Sequence, residues 1–249
     1  MRVLSRQVVL SQDSLDLAAS WLNVGLPTTL EPEPLWRSDD EVRTREDRTR
    51  AELADNGLLD GGDLDDDFAE TLLVLCRAGQ EYFSYVQSRD EEYRLHVAVS
   101  GQNAVFACNV PDTGRILLRA ARPEAPVEDL VVELPDWGPG HGASLSVPEA
   151  DLRAAMGGAH AGDEARRMLA LFDLPRTGGG QLSAAVRDGL GSHRKSRRDV
   201  CTYVDTERGR WLFSFSGEGE DRYVNAAPAR YETVVAKGYE LRDRLLEPR

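Results

Sequence analysis

The second half of this 249-residue chain repeats the plan of the first, and that repetition restricts the fold more than any single motif does. Each half carries helix, then strands joined by hairpin turns, then an alanine–proline break ahead of an amphipathic helix. The first break reads Arg119-Ala120-Ala121-Arg122-Pro123, before the segment 127–134. The second reads Asn225-Ala226-Ala227-Pro228, before the segment 231–246. The repeat predicts an α+β fold, a mostly antiparallel central sheet with flanking helices, in two quasi-two-fold related lobes. We expect a single domain over residues 1–249, with lobe 1 about 1–138 and lobe 2 about 139–249. The joint is the loop Gly138-Pro139-Gly140-His141-Gly142. Two similar lobes suit holding another protein better than shaping a catalytic cleft.

Charge narrows the partners. The formal net charge of −13 repels phosphate backbones and anionic membranes, so nucleic acid is not an expected partner. Apolar residues make up 41% and charged residues 29%, as in an ordinary soluble globular protein. The odd, widely spaced cysteines Cys76, Cys108 and Cys201 sit in apolar patterns and read as buried free thiols, neither a disulfide framework nor a zinc site. The opening Met1-Arg2-Val3-Leu4 turns polar at once, so no signal peptide is expected. No stretch approaches the roughly 20 apolar residues of a membrane span. The expected location is cytoplasmic.

Along the chain, residues 3–10 read as a strand, and Ser11 or Ser14 then caps a helix striped by Leu15, Leu17, Ala18, Trp21 and Leu22. Residues 27–34 form a proline-rich loop. Residues 39–56 form a charged surface helix, with acids first and Asn56-Gly57 last. Asp60–Asp67 is an acidic loop. Its alternating Asp63, Asp65 and Asp67 invite a calcium reading, but the sixth place is Phe68 and the twelfth is Val74. A solvated loop whose aspartates cap the helix 68–76 is the better reading. Period-2 alternation then predicts strands over 82–89, 93–100, 104–110 and 115–121. The second half reads as a strand at 144–147, helices over 148–156 and 163–172, strands over 181–188, 199–205, 210–216 and 222–226, and a terminal helix over 228–246.

No motif carries catalysis. His141 lies in a glycine-rich loop without a recognisable orienting carboxylate or nucleophile, and a flexible inter-lobe loop is the better reading. Gly178-Gly179-Gly180 precedes a strand, whereas phosphate-binding loops follow one and open a helix, so it reads as a linker or turn. The basic run Arg194-Lys195-Ser196-Arg197-Arg198 reads as a solvated loop, with contact to an acidic partner as the alternative. Ser214 sits between Phe213 and Phe215 in a packing position, not a nucleophile elbow. His96, His141, His160 and His193 are too scattered for a metal signature. Trp211, Phe213 and Phe215 share one strand face, with Tyr223 on the next strand. Either this face is core, leaving Leu212 and Ser214 more exposed, or it anchors a partner.

The order of these elements resembles the EspG family of ESX (type VII) secretion-associated proteins over nearly the full length. The resemblance rests on the opening strand and helix, Ala51-Glu52-Leu53 with Gly57-Leu58-Leu59-Asp60, the helix segment 72–77, and the close Gly209-Arg210-Trp211-Leu212 followed by Ala226-Ala227-Pro228 and a helix. It implies a cytosolic chaperone with no cofactor and no enzymatic activity. Such a chaperone binds a helical PE/PPE-like heterodimer, keeps it soluble and directs it to its export system. It assigns no catalytic, cofactor, metal or partner-contact residue and no oligomeric state. The competing readings are a two-lobed regulatory or ligand-sensing protein, and a hydrolase using an inter-lobe groove around His141.

Overall fold

The computed structural model describes residues 2–189, 191–196 and 201–247. In chain order the elements are β1 (Val8–Ser11), α1 (Gln12–Trp21), α2 (Asp39–Asp55), β2 (Leu59–Asp60), β3 (Asp63–Leu64), α3 (Asp66–Arg77), β4 (Gln80–Gln87), β5 (Glu92–Ser100), β6 (Asn103–Val110), β7 (Arg115–Ala120) and α4 (Pro126–Val131). They continue as β8 (Leu145–Pro148), α5 (Glu149–Met156), α6 (Asp163–Phe172), β9 (Arg176–Arg187), β10 (His193–Lys195), β11 (Cys201–Thr206), β12 (Gly209–Ser216), β13 (Tyr223–Pro228) and α7 (Tyr231–Leu246). The chain forms two compact units. One comprises Met1–Tyr85, Glu92–Glu133 and Ala184–Arg194; the other comprises Val86–Glu91, Leu134–Ser183 and Lys195–Arg249.

In the first unit the strand order is β1-β7-β6-β5-β4, followed by the end of β9. The pairs β1–β7, β6–β7 and β5–β6 are antiparallel, with Val8 opposite Leu118 and Val97 opposite Phe106. Alternation does the sorting: inward side chains such as Val105 and Ala107 join Ile116 and Leu118 under the helices. Helix α1 begins where Ser11 accepts a hydrogen bond from the Ser14 N–H, and it buries Leu15, Ala18 and Ala19. Helix α3 begins on Asp65, whose carboxylate accepts from the N–H groups of Asp67 and Phe68 at 3.1 Å. Its stripe Phe68, Leu72 and Leu75 is fully buried. Helix α2 is charged along most of its length, yet Thr49 and Leu53 are buried beneath it.

In the second unit the order is β9-β11-β12-β13-β8. The printed pairs are antiparallel, with Tyr203 opposite Leu212 and Phe213 opposite Ala226. Leu145, Val147, Leu152, Met168, Trp211 and Val224 form its core under α5 and α6.

The mostly antiparallel sheet with flanking helices is as the sequence predicts. Several local expectations need correction. The first strand is confined to Val8–Ser11, because the Leu4 N–H donates to Thr71 Oγ1 at 2.9 Å and so belongs to α3's surroundings, not to a ladder. The acidic loop contains a small hairpin, β2 with β3, turned through Gly61-Gly62. Pro148 and Pro228 end strands instead of opening helices. The glycine triplet lies inside β9, with Gly178 opposite Asp205, Gly179 opposite Val204 and Gly180 opposite Tyr203. A Cβ on Gly179 would sit 2.7 Å from the Tyr203 carbonyl oxygen, and one on Gly178 2.9 Å from that of Gln87. Backbones approach too closely there for side chains, which is the second physical reason for glycine in a chain, beside turns.

Candidate docking surfaces

Two surfaces with exposed aromatic side chains stand out, one in each unit. In the first unit a groove of about 720 Å³ runs beside α2. Glu41, Thr44, Arg45, Arg48, Thr49 and Glu52 line it from one helical face, at the i, i+3, i+4 spacing of a stripe. Leu35 and Trp36 form its opposite lip, and Trp36 is 89% exposed. The groove's carboxylates are engaged. Asp13 meets Arg37 at 2.8 Å and Arg45 at 3.1 Å. Glu41 accepts from the Ser38 N–H and hydroxyl, and these bonds hold its carboxyl below the usual range. Glu52 is pulled both ways: burial pushes it up, while hydrogen bonds from Ser11, Ser14 and Arg115 outweigh burial and leave it low. Sequence reading missed this surface. The available signal was an apolar pair, Leu35-Trp36, belonging to no periodic element.

In the second unit the far half of β12 is only partly covered. Phe213, Ser214, Phe215 and Ser216 are all half-buried. Phe213 meets Phe172 of α6 at a ring distance of 5.3 Å, and the Arg222 guanidinium lies 4.1 Å over the Phe215 ring. Tyr223, beside them on β13, is 39% exposed, and Met156 at the end of α5 is 69% exposed. The near half of the strand is sealed. Trp211 is buried, and so is Leu212, contrary to the expectation that its face would be open. Both faces of the sheet are covered at that point.

A family model described as the EspG family matches residues 11–237. The chain belongs to the EspG family. The resemblance carried by the order of elements therefore holds. Among solved structures, the chain is similar to the Mycobacterium tuberculosis type VII secretion system chaperone EspG5, determined in complex with a PE25–PPE41 dimer. The TM-score is 0.73 at 17% identity, over 96% of each chain. At that identity the likeness is one of fold. No curated protein sequence matches the chain.

Against this EspG fold the remaining sequence candidates can be placed. The loop 138–142 is not a flexible joint. The Gly140 N–H donates to the Arg210 carbonyl at 2.7 Å, the Arg210 N–H to that of Gly138 at 2.7 Å, and the His141 N–H to that of Arg208 at 3.1 Å. Arg210 also holds Asp205 in a buried pair at 2.6 Å, donates to the Pro135 carbonyl at 2.8 Å and lies over Tyr203. Trp137 Nε1 donates to the Thr206 carbonyl at 3.0 Å. The His141 side chain is exposed on this pinned loop. Ser214 pairs with Asn225 in mid-strand. Asp65 caps α3, while Asp63 lies in β3 and Asp67 in the first turn of α3. Arg194 and Lys195 lie in β10, whereas Arg197 and Arg198 fall outside the described residues.

Of the three cysteines, Cys201 is buried and Cys76 and Cys108 are half-buried, so the expectation of three buried thiols is too strong. Burial pushes the thiols of Cys76 and Cys201 up to about 12, away from reactivity. Two of the four histidines, His96 and His193, do meet, on the buried carboxylate of Glu81.

Proposed function

We propose that this chain is a cytosolic chaperone and specificity adaptor of a type VII secretion system. It binds a helical PE/PPE-like heterodimer, keeps it soluble, and directs it to its export machinery without catalysing a reaction. The observation carrying this reading is the match of the EspG family model to residues 11–237. The fold shared with EspG5, whose solved structure holds PE25–PPE41, supports it. Among the described residues no helix is long and apolar enough to cross a membrane.

The physics fits a holdase. A secreted helical pair exposes apolar surface that must be covered and later released, and an interface of about 1,600 Å² serves both ends. Aromatic side chains ringed by arginine are the side chains that anchor such interfaces. Trp36, in a groove also lined by Arg37 and Arg48, has that character, as does Phe215 beneath Arg222, with Tyr223 exposed on the next strand.

Co-expression with PE–PPE pairs encoded beside the gene, followed by size exclusion, is the test. We expect one pair to co-elute with the chain. Failure of every neighbouring pair to do so overturns the reading. Trp36→Asp and Tyr223→Asp then distinguish the two surfaces, since each is an exposed position whose change leaves the core intact. The surface in use loses the complex at least about tenfold in affinity, and the other does not. His141→Ala is expected to leave binding unchanged and to show no lost hydrolase activity.

A further inference from the structure

The strap 31–37, which leads into α2, holds an apolar pair out in solvent and holds it still. At one end the Gln12 side-chain amide donates to the Leu30 and Glu31 carbonyls, each at 3.0 Å. At the other end Arg37 pairs with Asp13 at 2.8 Å, and the Ser38 N–H donates to Glu41 at 2.8 Å. Between these fastenings Pro32 and Pro34 each fix a backbone torsion. On this segment Leu35 is 67% exposed and Trp36 89%. An apolar pair that is both exposed and ordered in advance suits a contact, because little ordering entropy is left to lose on binding.

The strap divides the groove beside α2 from a second cleft of about 490 Å³, and Leu35 and Arg37 line both. The two sides differ in sign. In the groove, Arg45 is taken by Asp13 and Asp16 and Arg115 by Glu52, which leaves Arg48 as the lining cation without an ion pair among the described residues. In the second cleft the exposed acids Glu31, Glu33 and Asp112 make no ion pair among the described residues either. Arg94 is the cation beside them, its guanidinium 5.7 Å over the Tyr85 ring. The patch therefore runs from a free arginine, across an apolar ridge, to three free carboxylates.

We propose that this patch is the two-fold interface of a homodimer: Leu35 and Trp36 of one copy pack on those of the other, and Arg48 of each faces the acids Glu31, Glu33 and Asp112 of its partner. A surface of this kind is complementary to itself. A two-fold axis lying in the interface along the ridge brings the positive side of one copy over the negative side of the other, twice over. Charge also decides against other faces of the chain. A net charge of −13 makes two copies repel, so they meet only where local charges attract, and here they do. The dimer stands independently of the chaperone reading. Taken with that reading, it covers the groove of the first unit and leaves the half-open β12 of the second for the secretion substrate.

Analytical ultracentrifugation of the whole chain over a concentration series tests this. The unaltered chain is expected to pass from monomer to dimer below about 100 μM, and W36A to weaken the dimer at least about tenfold. Charge exchange then tests the two-fold arrangement. R48E alone sets acid against acid, and the double variant E31K with E33K alone sets base against base, so each is expected to be monomeric. Mixed together they restore both attractions and are expected to form a one-to-one dimer. All these positions are exposed, so the variants keep the core of the unaltered chain. The interface is overturned if the unaltered chain stays monomeric throughout the series, if W36A dimerises as well as the unaltered chain, or if mixing the two charge variants forms no dimer that each lacks alone.

Discussion

In the first unit β6 stays buried almost to its end, while in the second unit its counterpart β12 is half-open from Phe213 onward. The strand orders are otherwise the same plan, β1-β7-β6-β5-β4 against β8-β13-β12-β11-β9. Each begins with a four-residue strand of identical burial alternation that runs straight into a helix, β1 into α1 and β8 into α5. The difference is in the helices between. The first unit adds the 17-residue α2, which docks Leu53 and Thr49 before α3 begins. The second passes from α5 to α6 with no such helix, and its core cluster is correspondingly smaller. One sheet plan therefore yields a sealed surface or a partly open one, according to how much helix is laid over it. The second unit compensates at its sealed end with polar fastening, through Arg210, Asp205 and the loop 138–142.

Breaking that fastening should have the largest effect. Arg210→Met leaves the Asp205 carboxylate buried and unpaired, and we expect a loss of about 3–5 kcal/mol in urea unfolding. Replacing Asp205 by Leu in the same chain should recover most of it. A loss no larger than that of an exposed arginine would mean that the pair adds nothing to the second unit.

Leu53→Ala probes the helix that the second unit lacks. Leu53 is fully buried, and its truncation should cost about 2–5 kcal/mol, with raised hydrogen exchange in α2 and in β1. Exchange confined to α2 would show that α2 covers the sheet without supporting it.

Gly140→Ala comes third. Its Cβ would lie 2.4 Å from the Trp211 indole, and overpacking of that kind costs about 1–3 kcal/mol. Gly138→Ala, in open space two residues earlier, serves as the control and should change the thermal midpoint little.

The smallest effect concerns Glu52, at the groove of the first unit. Its folded-state midpoint is lowered, so its contribution is present above the ordinary carboxylate range and is lost as pH falls through that lowered midpoint. Glu52→Gln should therefore be less stable than the unaltered protein at pH 7, and the gap should close in acid unfolding curves. A gap that persists in acid below that lowered midpoint would mean that Glu52 acts through packing and not through its charge.

Most of the strands and the starts of α1 and α3 were open to sequence reading because they depend on neighbours a few residues apart, and their order carried the family. Alternation in 93–100 and 104–110 is a period-2 signal, and Ser11 and Asp65 cap their helices with their own side chains. Glycine was the weak point. Gly178-Gly179-Gly180 signals freedom of the backbone, and the chain alone does not say whether that freedom serves a turn or the close passage of another strand.

What the sequence by itself determined, then, is the repeated order of helix and antiparallel strand, and with it membership of the EspG family. Tertiary structure alone decided which groups from distant segments meet: His96 and His193 on Glu81, Arg210 against Pro135, and Trp36 beside an arginine-lined groove. The reason is range. Propensity, capping and alternation act within a turn or a hairpin, whereas burying a charge or leaving an indole in water is settled by everything that packs around it.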